Sequence, residues 1–443
     1  MSCMQCYIAG ATVFVALCSV ANANDATQGG FIQGGKASLG LRTFGFLNDN
    51  RDGAAEPSKT EEWAQGFLLK YESGFTQGTL GIGIDALLLT GVTLDSGQGR
   101  HQKSTMIPSD GDHAADTWTR FAPTAKARIG KTEIRYGTLI PKLPILVAND
   151  GRVLPQTFVG TQITSTAFKS LTLTGGVLEH VVGRGSTDST GFSIPGSNRE
   201  SNKFYFAGGD WAVTGDLKAQ YYFAKLDEFY TQHFAGMVHR LALDESKSFT
   251  TDLRYFKTDA TGANSSADGR AAGYRVNGYT QGGTGAIDND TWSLSGTYAD
   301  GGHALMLGYQ RVSTGSDFVQ PSQSGLEGKG AGGASTYLAT DRIIHSFNRA
   351  GEQTVFAQYA YDFVAMGIPG LKASVAYVTG DQIRTSDSSN ASEWERDFTL
   401  DYAIQSGVLK GVGLGWRNAK YHSEVSRNQD QNRVFITYTI PLL

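Results

Sequence analysis

Residues 412–421 read VGLGWRNAKY, and the order of side chains in this run decides the fold. Val412, Leu414 and Trp416 are apolar and share one parity, whereas Gly413, Gly415 and Arg417 occupy the other. A period of two is that of a β-strand with one greasy and one polar face. The same rhythm recurs in residues 63–71 (WAQGFLLKY), 217–226 (LKAQYYFAKL) and 353–363 (QTVFAQYAYDF). A bilayer leaves no backbone group unpaired, so strands with one face in lipid must close into a barrel.

Composition agrees with such a wall. The chain has 443 residues, a formal net charge of −4, 40% hydrophobic and 18% charged residues, with 56 Gly but only 10 Pro. Proline is scarce where every ladder donor is needed. Aromatic residues gather near tract ends (Phe204, Tyr205, Phe206, Trp211, Tyr221, Tyr222, Phe223, Phe229, Tyr230, Trp292, Trp394 and Trp416) and are expected to form interfacial girdles. No run after the leader is apolar for about eighteen residues, so a helical membrane protein is excluded.

Residues 1–23 read as a secretory signal, with an apolar stretch over 7–20 and Ala21-Asn22-Ala23 as a small-x-small cleavage site, although no Lys or Arg precedes Lys36. All three cysteines, Cys3, Cys6 and Cys18, fall in that leader. The mature chain, residues 24–443, is therefore expected to be one barrel domain without disulfides, thiol chemistry or zinc-cysteine sites.

Paired tracts read as hairpins and give about eighteen strands, an even number as bacterial single-chain barrels require. Tight connections such as Gly130-Lys131 and Lys169-Ser170 fall on the periplasmic side. The long polar stretches 95–116, 183–202, 259–290, 315–351 and 383–392 are assigned to the outside. One segment breaks the rhythm. Residues 141–160, PKLPILVANDGRVLPQTFVG, carry three prolines yet are too apolar for an outer surface. Folded into the lumen, this loop would place Asn149, Asp150 and Arg152 at the narrowest point. A cap over the barrel rim is the alternative.

Parity sorts the cations. Arg42, Arg128, Arg135, Arg254, Lys372, Arg417 and Arg433 all fall on the side opposite the apolar faces of their tracts. A guanidinium on the lipid face costs up to about 2–4 kcal/mol at midplane, so these side chains are expected to face water. A line of them offers successive weak sites to a carboxylate, bound enough to enter and loosely enough to leave. Pairing with acids across the lumen is the structural alternative for each. Glu395, Asp397 and Asp401 share the inward parity of their strand, and Tyr337 with Asp341 is assigned to the second wall of the constriction. An acid pocket there would bind the amine of a zwitterion.

Residues 62–75 (EWAQGFLLKYESGF), 123–139 (PTAKARIGKTEIRYGTL), 141–157 (PKLPILVANDGRVLPQT), 208–210, 393–397 (EWERD) and the ending 438–443 (YTIPLL) resemble the OprD family of outer-membrane carboxylate-specific channels. The resemblance covers essentially the whole mature chain. It implies an eighteen-stranded barrel, a third extracellular loop folded inside, a ladder of basic residues along the pore and passive uptake of small carboxylates, either basic amino acids or aromatic and other organic acids. Leu443 departs from barrels generally, which usually end on an aromatic residue.

Other chemistries find little support. Residues 328–333, GKGAGG, fit GxGxxG but lie in a Gly/Ser-rich loop without a strand before or a helix after. The eight histidines form no HExxH motif, and no spacing selects a Ser/His/Asp triad. No cofactor, metal or nucleic acid is expected. The expected partners are outer-membrane lipid, lipopolysaccharide and small carboxylate solutes, with monomer and trimer both open. A barrel enzyme, protease or phospholipase, is the competing function.

Overall fold

The computed structural model describes residues 30–51, 58–101, 104–324 and 335–443; the leader and its cysteines lie outside them. Among the described residues, eighteen strands form one antiparallel sheet. In chain order they are β1 (Lys36–Asn50), β2 (Lys59–Glu72), β3 (Leu80–Asp95), β4 (Thr117–Ile129), β5 (Thr132–Leu139), β6 (Thr157–Phe168), β7 (Leu171–Val182), β8 (Phe204–Ala212) and β9 (Leu217–Leu226). They continue with β10 (Tyr230–Ala242), β11 (Lys247–Ala260), β12 (Asp288–Asp300), β13 (His303–Val312), β14 (Gln353–Asp362), β15 (Leu371–Ile383), β16 (Ala391–Ala403), β17 (Gly413–Ser423) and β18 (Gln429–Pro441). Each strand pairs with the next, and β1 pairs with β18 in the register Leu39↔Ile440 and Arg42↔Thr437, which closes the barrel.

Alternation fixes which face meets lipid. In β3, Ile82 and Ile84 project outward at 51% and 45% exposure, while Gly81, Gly83 and Asp85 point in. Phe121, Ile129, Ile134 and Tyr136 continue that greasy exterior on β4 and β5. A one-residue slip would turn each of these into the lumen, so burial sets the register. The tight turn between β4 and β5 holds Gly130 at φ +57°, a conformation glycine adopts without a steric cost.

In the outer half of the bore, loops pack against the inner wall. Inward-facing Phe158, Phe204, Phe206, Tyr222, Phe234 and Phe256 pack with Ile145, Phe192, Ile194, Val276, Phe318 and Leu338 from four loops. This corrects two expectations. Phe204, Phe206, Tyr222, Phe229 and Tyr230 are buried rather than girdle residues, whereas Tyr205, Trp211, Tyr221, Trp292 and Trp416 do face outward. The stretches 183–202, 259–290 and 315–351 were expected outside, yet each sends apolar side chains inward. Where loops cover it the inner face becomes dry, and aromatic residues are stable on either parity.

The third loop, residues 140–156, folds inside as expected, with Val153 and Leu154 fully buried against Phe44, Phe46 and Phe435. It ends earlier than the sequence suggested. Residues 157–160 belong to β6, where Phe158 pairs with Leu139 and Val181.

Candidate functional site: a basic lumen narrowed by two loops

Below these loops the barrel opens into a cavity of about 2120 Å³ toward the short-turn end. Eleven Lys or Arg residues line it against six Asp or Glu, most of them carried by strands β1 to β11. Alternation explains this: inward positions near the turns stay in water, where a charged side chain has no desolvation cost to meet.

Three of the seven predicted cations stand in this cavity. Arg128 lies over the Phe75 ring at 4.3 Å, with Lys126 over the same ring at 4.9 Å. Arg135 is held by Glu133 and lies 3.5 Å from Asp85. Arg254 grips Asp252 at 2.6 Å, donates to the Tyr337 carbonyl at 2.8 Å and stacks on the Tyr337 ring at 4.2 Å. Tyr337 lines this cavity beside Arg254. Lys372 points inward at the turn end, paired with Asp362 at 3.1 Å and about half exposed.

The remaining three gather around the third loop. Arg42 reaches Asp150 at 2.6 Å and the carbonyl of Arg152 at 2.9 Å. Arg417 pairs with Asp401 at 2.7 Å and lies over the ring of Phe435, which occupies the space left by the missing side chain of Gly415. Arg433 is held by Gln431 at 2.6 Å and by the carbonyl of Ile343, with no carboxylate in ion-pair range among the described residues. The seven cations thus divide: five are ion-paired, and Arg128 and Arg433 carry no such partner among the described residues.

Sequence parity missed several further guanidinium groups, Arg240 on the cavity wall among them. Arg120 follows the inward parity of β4 and could have been found by the same test; it donates to the carbonyls of Pro155 and Gly183. Arg184 and Arg342 lie in irregular loops, where no period exists to read. Arg184 donates to Gln323 at 2.6 Å and to Asn149 at 2.8 Å, so Asn149 braces a cation. At Gly151, Nη1 of Arg184 and Nη1 of Arg433 lie 3.2 and 3.7 Å from where a side chain would begin. Arg152 lies over the Phe46 ring at 4.1 Å, with its Nε buried and unpartnered. Burial, then the charges of Arg433 and Arg184, push its guanidinium well below the ordinary value. None of Arg152, Arg184 or Arg433 has a carboxylate within salt-bridge reach among the described residues.

The seventh loop, residues 313–352, forms the opposing wall and is anchored by acids. Glu395 accepts from the amides of Ile344 and His345 at 2.8 and 2.9 Å. Glu393 binds Arg349 at 2.9 Å, and Asp317 accepts from the amide of Ala350 at 2.8 Å. Asp341 is bonded within this loop. Its carboxylate accepts from Ser346 at 2.7 Å and from the Thr336 amide at 3.4 Å, both in its own loop. The turn from 336 to 346 thus engages that acid within its own loop. On the second loop, residues 96–116, His101 bridges buried Glu62 at 2.5 Å and Ser109 at 2.8 Å, which pins this loop to β2.

Comparison with known proteins places this geometry. The family model described as outer membrane porin, OprD family, matches residues 29–442. Porin D of Pseudomonas aeruginosa is 30% identical over 98% of this chain and 97% of its own length. The solved structure of Pseudomonas aeruginosa OccK8 (OprE) is 46% identical, covers 94% of this chain and all of that one, and superimposes with a TM-score of 0.86. Pseudomonas aeruginosa OpdK, solved with vanillate, is 30% identical with a TM-score of 0.81, covering 93% and 100%.

Proposed function

The chain belongs to the OprD family of outer-membrane porins, and on that premise we propose that it passes small organic anions, monocarboxylates above all, from cell exterior to periplasm. It is a substrate-specific channel of the outer membrane. The anion preference rests on one observation: Arg152, Arg184 and Arg433 converge at the turn of the third loop, and none of the three has a carboxylate within salt-bridge distance among the described residues, the nearest acids being Asp150 for Arg184 and Glu395, Asp397 and Asp341 for Arg433. Buried charges are stable when paired. Three guanidinium groups lacking a fixed counter-ion leave that role to a passing carboxylate, which the planar fork of arginine grips through two oxygens.

The acids of the lumen favour the same class. Asp252, Asp85, Glu133, Asp401 and Asp150 are each held by a neighbouring cation, and Asp341 by its own loop. These six carboxylates are engaged, which favours organic acids over basic amino acids at their stations, while Asp397 keeps one buried oxygen without a partner. Below the constriction, Arg254, Arg128 and Arg135 offer further stations on the wall of the wide cavity. Vanillate, the molecule with which OpdK was solved, is an aromatic acid of the same chemical class. Swelling of proteoliposomes in isotonic solutes tests the reading. Benzoate should enter faster than benzamide and faster than arginine; equal rates for benzoate and benzamide would remove its basis.

A further inference from the structure

On the outside of the barrel a second basic site faces lipid rather than the pore. Along one row of register, Tyr377 of β15, Arg396 of β16, Lys420 of β17 and Asp430 of β18 stand side by side. Arg396 and Lys420 are exposed and directly opposite each other, and like charges facing across a ladder destabilise the pair. Their neighbours in the row do not relieve them. Arg396 donates to Asn418 at 2.5 Å, a neutral partner. Asp430, the one acid in the row beside Lys420, is taken by Arg51 at 2.5 Å. Lys420 has no ion pair among the described residues.

Height in the membrane identifies the occupant. Two register steps toward the short turns, the row reads Ala373, Leu400, Trp416 and Val434, apolar throughout. In that row Trp416 and Val434 are open to lipid at 39% and 38% exposure, and the row between it and the cations reads Val375, Phe398, Asn418 and Asn432. One step toward the long loops, Trp394 stacks on Tyr377 at 5.9 Å between ring centres and meets His422 at 5.9 Å. The cation pair thus sits at the upper edge of the hydrocarbon band with aromatic faces beside it, the level of headgroups in the outer leaflet.

We propose that Arg396 and Lys420 bind a phosphate of a phosphorylated glycolipid of the outer leaflet, the lipid A part of lipopolysaccharide. The phosphate would bridge the two cations and end their repulsion, its sugar ring would lie against Trp394 and Tyr377, and its acyl chains would run down over Trp416 and Val434. A soluble phosphate makes only the first of these contacts, so the geometry favours the lipid.

Native mass spectrometry of the full-length folded barrel in detergent tests this, with lipid A and inorganic phosphate as probes. The wild-type barrel should retain one lipid A molecule, and the Arg396→Gln/Lys420→Gln variant should bind it at least about tenfold more weakly. Lys225→Gln/Lys257→Gln, on another part of the wall, should bind as wild type. Heat-modifiable migration in electrophoresis confirms that each variant is folded. Equal retention by the Arg396→Gln/Lys420→Gln variant, an equal loss in the Lys225→Gln/Lys257→Gln control, or displacement of lipid A by an equal concentration of inorganic phosphate would overturn the proposal.

Discussion

Asp150, at the tip of the third loop, lies 2.6 Å from the guanidinium of Arg42 on the first strand. The loop is thereby tied to the seam where β1 meets β18. Asp150→Asn keeps the shape but removes the charge, at a cost of roughly 1 kcal/mol for a part-exposed pair. The loop should then leave its docked position more often. Single-channel recordings should show more frequent current fluctuations, while the heat-resistant folded form is retained.

Arg433 and Arg184 are expected to act on charge rather than on size. Arg433→Gln or Arg184→Gln should weaken block of the channel by benzoate about tenfold, close to 1.4 kcal/mol, with passage of an uncharged sugar changed little. The measurement is the concentration of solute that halves the open-channel current. If neutral and anionic solutes were affected alike, these residues would shape the bore and not bind the solute.

Glu395 receives two backbone amides of the seventh loop, from Ile344 and His345. Glu395→Ala leaves both donors unmet in a buried place, a loss of about 1–3 kcal/mol for each. The seventh loop should become more accessible to protease in intact vesicles than it is in the wild type. Glu395→Gln restores one acceptor and should fall between the two.

Acid should act on the same loop through two opposed groups. Burial pushes the carboxyls of Asp341 and Asp317 up to about 6. The docked loop therefore binds protons more readily than the free loop, and docking gains as pH falls from about 6 toward the usual carboxylate value of 3.8. Burial pulls His345 down to about 4 from 6.5, so its contribution to docking is complete above 6.5 and is lost as pH falls toward 4. His345 also stacks on Tyr421 at 4.3 Å. His345→Phe keeps the stack and removes the opposing proton. At pH 5 its channel should fluctuate less than wild type, and at pH 7.5 the two should match.

Much of the wall was legible because lipid on one side and water on the other impose a period of two, as in 412–421, where Trp416 faces out and Arg417 in. The third loop was legible because Val153 and Leu154 have no place on a wet surface. The inward packing of the other loops was not, because Phe318, Val319 and Leu338 are isolated apolar residues in long polar stretches, and their burial depends on meeting Phe256 and Phe234 across the bore. For the same reason Phe204 and Tyr222 looked like interfacial aromatics. Pairing was the least readable property. Parity turned Arg254 and Arg417 inward correctly, yet only tertiary structure shows each gripped by Asp252 and Asp401, while Arg433 meets no carboxylate among the described residues. Arg184 has no periodic context at all, and its place beside Arg433 follows from how two loops meet.

By this reading the lumen selects the carboxylate. Open-channel current through a single wild-type barrel in a planar bilayer, recorded with benzoate or its neutral amide added to one side, tests it most directly. Benzoate should produce brief, concentration-dependent interruptions of the current, and benzamide at the same concentration should produce almost none. Equal interruption by both compounds would show that the lumen does not select by charge.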